Sequence, residues 1–343
     1  MILALAAACS DDFESTSSVT GVRVLAVQLD TPFARPGADV SLSMLAHDGA
    51  APVDAQPSLS IAWFSGCTNP DDDSPTACHA RLSWIAGLAP GDLAGETTPT
   101  LPDGAAIGRG ATFRYAVPGD LVERHARRVG EPVARGLAYV FFAACAGRLV
   151  ADPAARPRAG IPVRCVDPGS GAELGARRFV SGYVPIRAYE ALVNANPVLG
   201  ETVLDGSTPQ RCSADAACDS GRCVEGRCAL SVRRCDAGSR DDCPALRVTP
   251  SVTAESYELD ESAASPGIAA EGELIWAAYF TTAGAFDAPV RTLFEPADGR
   301  RPASDFAGAL RLNPGFTGPA RVWSVVHDGR GGVAWTQTDL VVR

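Results

Sequence analysis

Six cysteines crowd into the stretch RCSADAACDSGRCVEGRCALSVRRCDAGSRDDC, at Cys212, Cys218, Cys223, Cys228, Cys235 and Cys243. Large apolar side chains are nearly absent from it, so it has no core to bury and holds a shape only through cross-links. Zinc sites favour paired CxxC knuckles, whereas the gaps here are five, four, four, six and seven residues with no histidine among them. Three disulfides are expected, and the spacing does not choose their connectivity.

Four more cysteines precede the cluster. Cys67 and Cys78 bracket TNPDDDSPTA, and Cys145 and Cys165 bracket a segment rich in proline and arginine, so each pair reads as a staple across a loop. The chain has eleven cysteines in all, and setting Cys9 apart leaves an even ten. An even, clustered set suits an oxidising compartment outside the cytoplasm.

Cys9 has its own context. Residues 1–9 read MILALAAAC, an apolar run closing on small residues, and the next stretch, SDDFESTSSVT, is polar and acidic. Leu5-Ala6-Ala7-Ala8-Cys9 resembles the lipobox of bacterial lipoproteins, with Ala6 where leucine is more usual and without a basic start. The resemblance implies a truncated signal peptide over 1–9, cleavage before Cys9, acylation of its sulfur and of the new N-terminus, and a flexible tether over 10–19. Ser10, where an inner-membrane retention signal would place aspartate, points to the outer membrane of a Gram-negative bacterium.

The rest of the chain reads as mainly β. In VRVLAVQLDTPFARPGADVSLSMLAHDG, Leu25, Val27 and Leu29 recur at every second position. After the Pro-Gly turn Val40, Leu42, Met44 and Ala46 do the same, with Ser41 and Ser43 on the opposite face. SLSIAWF follows, with Trp63 placed for a core. GDLVERHARRVG at 119–130 suggests a short helix. Near the C-terminus ARVWSVVHDGRGGVAWTQTDLVV reads as a hairpin about an Asp-Gly and Gly-Gly turn. IAWFSG at 61–66 echoes AAYFTT at 277–282, and LAYVFFAACAG at 137–147 echoes RVWSVVHDGRGG at 321–332. These echoes suggest two copies of one antiparallel sandwich, over 20–192 with insertions and over 246–343. A linker at 193–210 and the cysteine module at 211–245 lie between them. The sandwiches resemble bacterial immunoglobulin-like domains, without the Cys…Trp…Cys spacing of antibody domains. C-x5-C-x4-CVEGRC resembles EGF-like or Dickkopf-like repeats.

Signals for chemistry are sparse. Asp71, Asp72 and Asp73 are a weak calcium candidate, lacking the EF-hand alternation. Gly329, Gly331 and Ala334 match GxGxxA on paper, but a strand follows where the dinucleotide motif needs a helix. His47, His79, His125 and His327 are dispersed, with no HExxH and no GxSxG. His327 and Asp328, adjacent on a strand, point to opposite faces. Trp84, Trp323 and Trp335 are candidates for a sugar- or protein-binding platform. A net charge of −10, with basic residues scattered among acids, argues against nucleic acid as a partner. The expectation is a non-catalytic, cofactor-free protein, lipid-anchored in the outer membrane, that presents its sandwiches to an envelope protein or polysaccharide or serves as a spacer or structural element there. The competing class is a carbohydrate-binding or hydrolytic protein with its site in residues 79–135.

Overall fold

A computed structural model describes residues 15–127, 133–155, 160–258, 272–296 and 299–343. Cys9 lies outside the described residues.

The first sandwich runs through β1 (Val22–Leu29), β2 (Phe33–Ala34), β3 (Asp39–Asp48), β4 (Ser60–Thr68), β5 (Ile107–Arg109), β6 (Thr112–Ala116) and β7 (Gly136–Cys145). It continues through β8 (Arg148–Ala151), β9 (Val163–Val166) and β10 (Phe179–Ala188). One sheet has the order β1-β3-β6 and the other β2-β10-β7-β4-β5, with β8 and β9 a separate hairpin. All pairings are antiparallel except β2 with β10, where Arg187 faces Phe33. Val40, Leu42 and Met44 of β3 meet Trp63, Val140 and Phe142 between the sheets, as the alternation requires. Trp63 is fully buried, and its indole N–H donates to the carbonyl of Gly110 at 2.8 Å.

All ten residues of β7 are buried, because both of its faces are covered. Ala138, Val140, Phe142 and Ala144 face the first sheet. Leu137, Tyr139, Phe141 and Ala143 face a third layer, made of the 3₁₀ helices Pro75–Cys78 and Ala80–Gly87 and the β8–β9 hairpin. The Cys67–Cys78 and Cys145–Cys165 disulfides fasten this layer to β4 and β7. The expected helix at 119–130 is instead a run of turns from Gly119 to Arg124. Leu121 and Val122 insert into the core there, and their burial decides the local conformation over helix propensity.

The second sandwich uses β11 (Val203–Leu204), β14 (Leu230–Val232), β15 (Leu246–Thr249), β16 (Ile275–Thr281), β17 (Gly284–Phe286), β18 (Val290–Glu295), β19 (Gly299–Arg300), β20 (Gly308–Leu312), β21 (Gly318–Asp328) and β22 (Val333–Val342). Between its first two strands stand β12 (Cys223–Val224) and β13 (Arg227–Cys228). The sheets are β11-β15-β20-β17 and β14-β22-β21-β16-β18-β19. Strand for strand this repeats the first sandwich: β11-β15-β20 matches β1-β3-β6, and β14-β22-β21-β16-β18 matches β2-β10-β7-β4-β5. The match extends to the parallel pairing of the short strand, β14 on β22. Each sequence echo falls on equivalent strands, β4 with β16 and β7 with β21. Two antiparallel sheets in this order form an immunoglobulin-type sandwich.

The cysteines divide differently from the sequence expectation. Cys212–Cys223 and Cys218–Cys228 interlock within residues 212–228, a loop inserted between β11 and β14. Cys235–Cys243 closes the turn leading to β15, and both of its residues are buried in the core of the second sandwich. That sandwich therefore takes strands from 203–204 and 230–232, ahead of residue 246 and within the segments read as linker and module.

Candidate functional site

The two sandwiches lie side by side along β1. A bulge between Val24 and Ala26 breaks the strand's alternation, so that neighbours Leu25 and Ala26 are both buried. They pack with Val19 against Trp323, Val325 and Val333 of the second sandwich. Gln28 donates to the carbonyl of Val333 at 2.5 Å, and Asn196 bridges the Leu29 carbonyl (2.6 Å) to the Val333 N–H (2.9 Å).

One end of this seam is held by the N-terminal segment Ser15–Val19, half of the stretch expected to be a free tether. Val19 N–H donates to Thr281 O (2.8 Å), Thr281 N–H to Ser17 O (2.9 Å), and Phe286 N–H to Ser17 Oγ (2.9 Å). Ser17 is completely buried. Gly49 allows the approach, since a Cβ there would stand 1.9 Å from the Val19 carbonyl oxygen.

The other end is held by the β21–β22 hairpin. Asp328 Oδ1 accepts from the N–H groups of Arg330, Gly331 and Gly332 at 2.6–2.8 Å, and Oδ2 accepts from Asn194 Nδ2 at 3.1 Å. The turn expected over Asp328–Gly332 is thus closed by its own first aspartate. Arg330, itself buried, pairs with Glu273 at 2.8 Å and with Glu258.

Between these fastenings a groove of about 620 Å³ opens toward the hairpin end. Its walls come from β1 and from Tyr183, Pro185 and Arg187 of β10 on one side, and from Leu274, Trp276 and His327 on the other. Trp276 and His327 are cross-strand partners, and their rings stack at 3.9 Å with only 10° between planes. Burial lowers the His327 pKa to about 4, so the imidazole is neutral at neutral pH. Tyr183 and Leu274 are exposed at the rim, at 50% and 38%. The groove offers aromatic and apolar surface with a few polar atoms, at a junction of two domains where ligand sites commonly form. His327 is a weak base in this state, and Asp328 turns away from it with its carboxylate occupied by four donors. The arrangement suits binding and supplies no nucleophile with a base beside it.

The residues singled out in the sequence do not gather here. Trp323 is buried in the seam, its indole N–H donating to Gln337 Oε1 at 3.3 Å, with half-buried Trp335 beside it. Trp84 packs edge-on to Phe64 in the third layer of the first sandwich. No common platform joins them. Trp276 carries the outward aromatic instead, and the register of IWAAYF pointed to it: Ile275, Ala277 and Tyr279 face the core, which leaves Trp276 on the other side.

Asp71 and Asp72 are exposed, while Asp73 turns inward with φ +55°. Its carboxylate meets His125 Nε2 at 2.8 Å and Arg135 at 3.0 Å, and Tyr139 donates to its carbonyl oxygen at 2.7 Å. The three do not converge as calcium ligands, and Asp73 locks its loop to neighbouring segments. The sulfurs of Cys212, Cys218 and Cys228 lie within 4.8 Å of one another, but all three belong to disulfides. Zinc ligation needs free thiolates. Within the enlarged part of the first sandwich, a cavity of about 220 Å³ is lined by Arg148 and Arg164 and by no carboxylate.

Among the described residues no helix is long and apolar enough to cross a membrane. No family model and no curated protein matches the chain. Solved structures to which it is similar include the following. The fibronectin(III)-like modules of Clostridium thermocellum CbhA show 9% identity, with coverage of 93% of this chain and 94% of that one, and a TM-score of 0.21. The tandem Ig repeats of Dlar show 11% identity, coverage of 94% and 98%, and a TM-score of 0.22. Dimeric latent PorU from Porphyromonas gingivalis shows 12% identity, coverage of 95% of this chain and 24% of that one, and a TM-score of 0.20. The immunoglobulin-type assignment rests on strand order within each sandwich and not on these overall superpositions.

Proposed function

We propose that this chain is a non-catalytic binding protein of the bacterial outer membrane, lipid-anchored through Cys9, whose two sandwiches act as one body and present the groove between them. The observation that carries the reading is the groove itself, with walls from both sandwiches and a seam fastened at each end. A spacer gains length by placing its domains end to end, and side-by-side packing forgoes that length. An oxidising compartment is supported by the ten cysteines from Cys67 to Cys243, joined in five pairs. Parity then leaves Cys9 for acylation. The hydrolytic alternative in residues 79–135 has less support: the cavity that this segment borders, through Leu88 and Pro90, is otherwise lined from 148–171 and carries two arginines and no paired carboxylates.

Two measurements test the proposal. Intact mass of the membrane-extracted protein, expressed from an upstream start in a Gram-negative host, should show a chain beginning at Cys9 with added acyl mass. Crosslinking from a photoreactive residue replacing Tyr183 should capture an envelope protein or polysaccharide, and Trp276→Ala should abolish the capture. A soluble chain that retains Met1, or capture unchanged by the substitution, would overturn the corresponding half.

A further inference from the structure

The docked N-terminal segment constrains how the body would sit on a membrane, an inference that rests on the lipid-anchor reading above. We propose that the end of the molecule bearing Ser15–Val19 and the interlocked disulfide loop faces the bilayer, and that the groove opens away from it.

The two ends are defined by strand register. In the first sandwich Asp48, Ser60, Cys145 and Phe179 share one end, since Asp48 pairs with Val22 and Cys145 with both Ser60 and Phe179. Arg178 closes that end by an ion pair with Asp48 at 2.9 Å. In the second sandwich Thr281 pairs with Val322 at one end, and Ile275 pairs with Asp328 at the other. Val19 bonds to Thr281 and lies against Gly49, so the matching ends of both sandwiches meet at the N-terminal segment. Arg222 reaches Asp54 just beyond β3, which brings the loop closed by Cys212–Cys223 and Cys218–Cys228 to this same end. The groove lies toward the other end, where Arg187 pairs with Phe33 and where Leu274 and the 328–332 hairpin stand. Ten residues of β10 at about 3.3 Å each separate the two ends by roughly 30 Å.

From Cys9 to Ser15 the chain has six steps, which span at most about 20 Å when fully extended. An acyl chain on Cys9 would hold the sulfur at the headgroup boundary, and Ser15 would then lie within roughly that distance of it. A tether free as far as residue 19 would reach nearly twice as far and allow any orientation. Because Ser17 is buried and bonded, that freedom is removed. The partner at this end is a lipid surface, and ligands reach the groove from the side facing away.

The test uses the full acylated chain in vesicles of phosphatidylethanolamine and phosphatidylglycerol that contain an acceptor-labelled lipid. A donor fluorophore is placed on an azide-bearing residue replacing exposed Ala55, at the bilayer end, or exposed Asp71, at the opposite end. Energy transfer should be severalfold greater from position 55. A ten-residue Gly-Ser insertion between Asp12 and Phe13 should erase most of that difference. Equal transfer from the two positions, or more from 71, in protein whose intact mass shows acyl chains would overturn the orientation and leave the anchor standing. Protein without acyl mass would overturn both.

Discussion

The guanidinium of Arg330, at the tip of the second sandwich's last hairpin, lies 5.6 Å over the centroid of the Phe33 ring in the first sandwich. The same side chain meets Glu273 through Nε at 2.8 Å, and both residues are buried. One arginine thus serves as counterion within its own domain and as a cation–π contact across the seam. Removing it would strand a buried carboxylate, which costs far more than an exposed ion pair is worth. Arg330→Met should lower stability by about 3 kcal/mol. The companion change Glu273→Gln should restore part of it, read from urea denaturation of both variants.

His47 and His327 make stability depend on pH. Burial, with Arg321 adding to it, lowers the His47 pKa from 6.5 to about 4, and burial alone does the same for His327. Between pH 6.5 and 4 the unfolded chain binds protons at these positions and the folded chain does not. Their contribution is therefore complete above pH 6.5 and is lost as the pH falls toward 4. The loss should be on the order of 2 kcal/mol for each histidine. Denaturation at pH 7 and at pH 4.5 would show it, and His47→Gln with His327→Gln should flatten the difference. NMR titration of the two C2 protons provides a direct check on the lowered values.

The disulfides should differ in what they hold. Cys235–Cys243 closes a separation of eight residues inside the second core. Replacing both by serine removes a constraint worth about 2–3 kcal/mol and places two hydroxyls among apolar side chains. The melting temperature should fall by several degrees. Serine at Cys212, Cys218, Cys223 and Cys228 together should instead unfold the inserted loop and leave both sandwiches folded. Proteolysis confined to 212–228, with a nearly unchanged sandwich transition in calorimetry, would establish the distinction.

Ser17→Ala deletes the acceptor of the Phe286 N–H in a fully buried site. The unsatisfied donor should cost about 1–3 kcal/mol. Gly49→Ala acts on the same contact from the other side, by displacing the Val19 carbonyl. Both variants should raise amide exchange at Thr281 and Phe286 while β7 keeps its protection. Faster exchange throughout the chain would instead mean that Ser15–Val19 supports the whole fold.

The strand pattern was legible because alternation depends on local geometry. Val40, Leu42 and Met44 read as a core face and are one, and the paired echoes marked equivalent strands 216 and 184 positions apart. Sheet order, the strands at Val203–Leu204 and Leu230–Val232, and the seam were not legible. Each depends on partners far along the chain, and two- or three-residue strands are too short to show a period. The tryptophans misled for a related reason. A large aromatic side chain marks burial as readily as binding, and only register separates Trp276, on the groove, from Trp323, in the seam. Ser15–Val19 read as a tether because its polar composition matches one; nothing local reveals that Ser17 will cap a backbone N–H at Phe286.

The seam between the sandwiches also has a consequence in time. As the chain is made from its N-terminus, Leu25 and Ala26 emerge long before Trp323, Val325 and Val333, which cover them. At roughly 5–20 residues per second, the delay is on the order of 15–60 seconds. During that interval the first sandwich can close its own core, yet β1 still displays an uncovered apolar strip on an edge strand. The second half of the molecule then acts as the cover for a surface that the first half cannot bury, and the young protein is most open to self-association while only half of it exists.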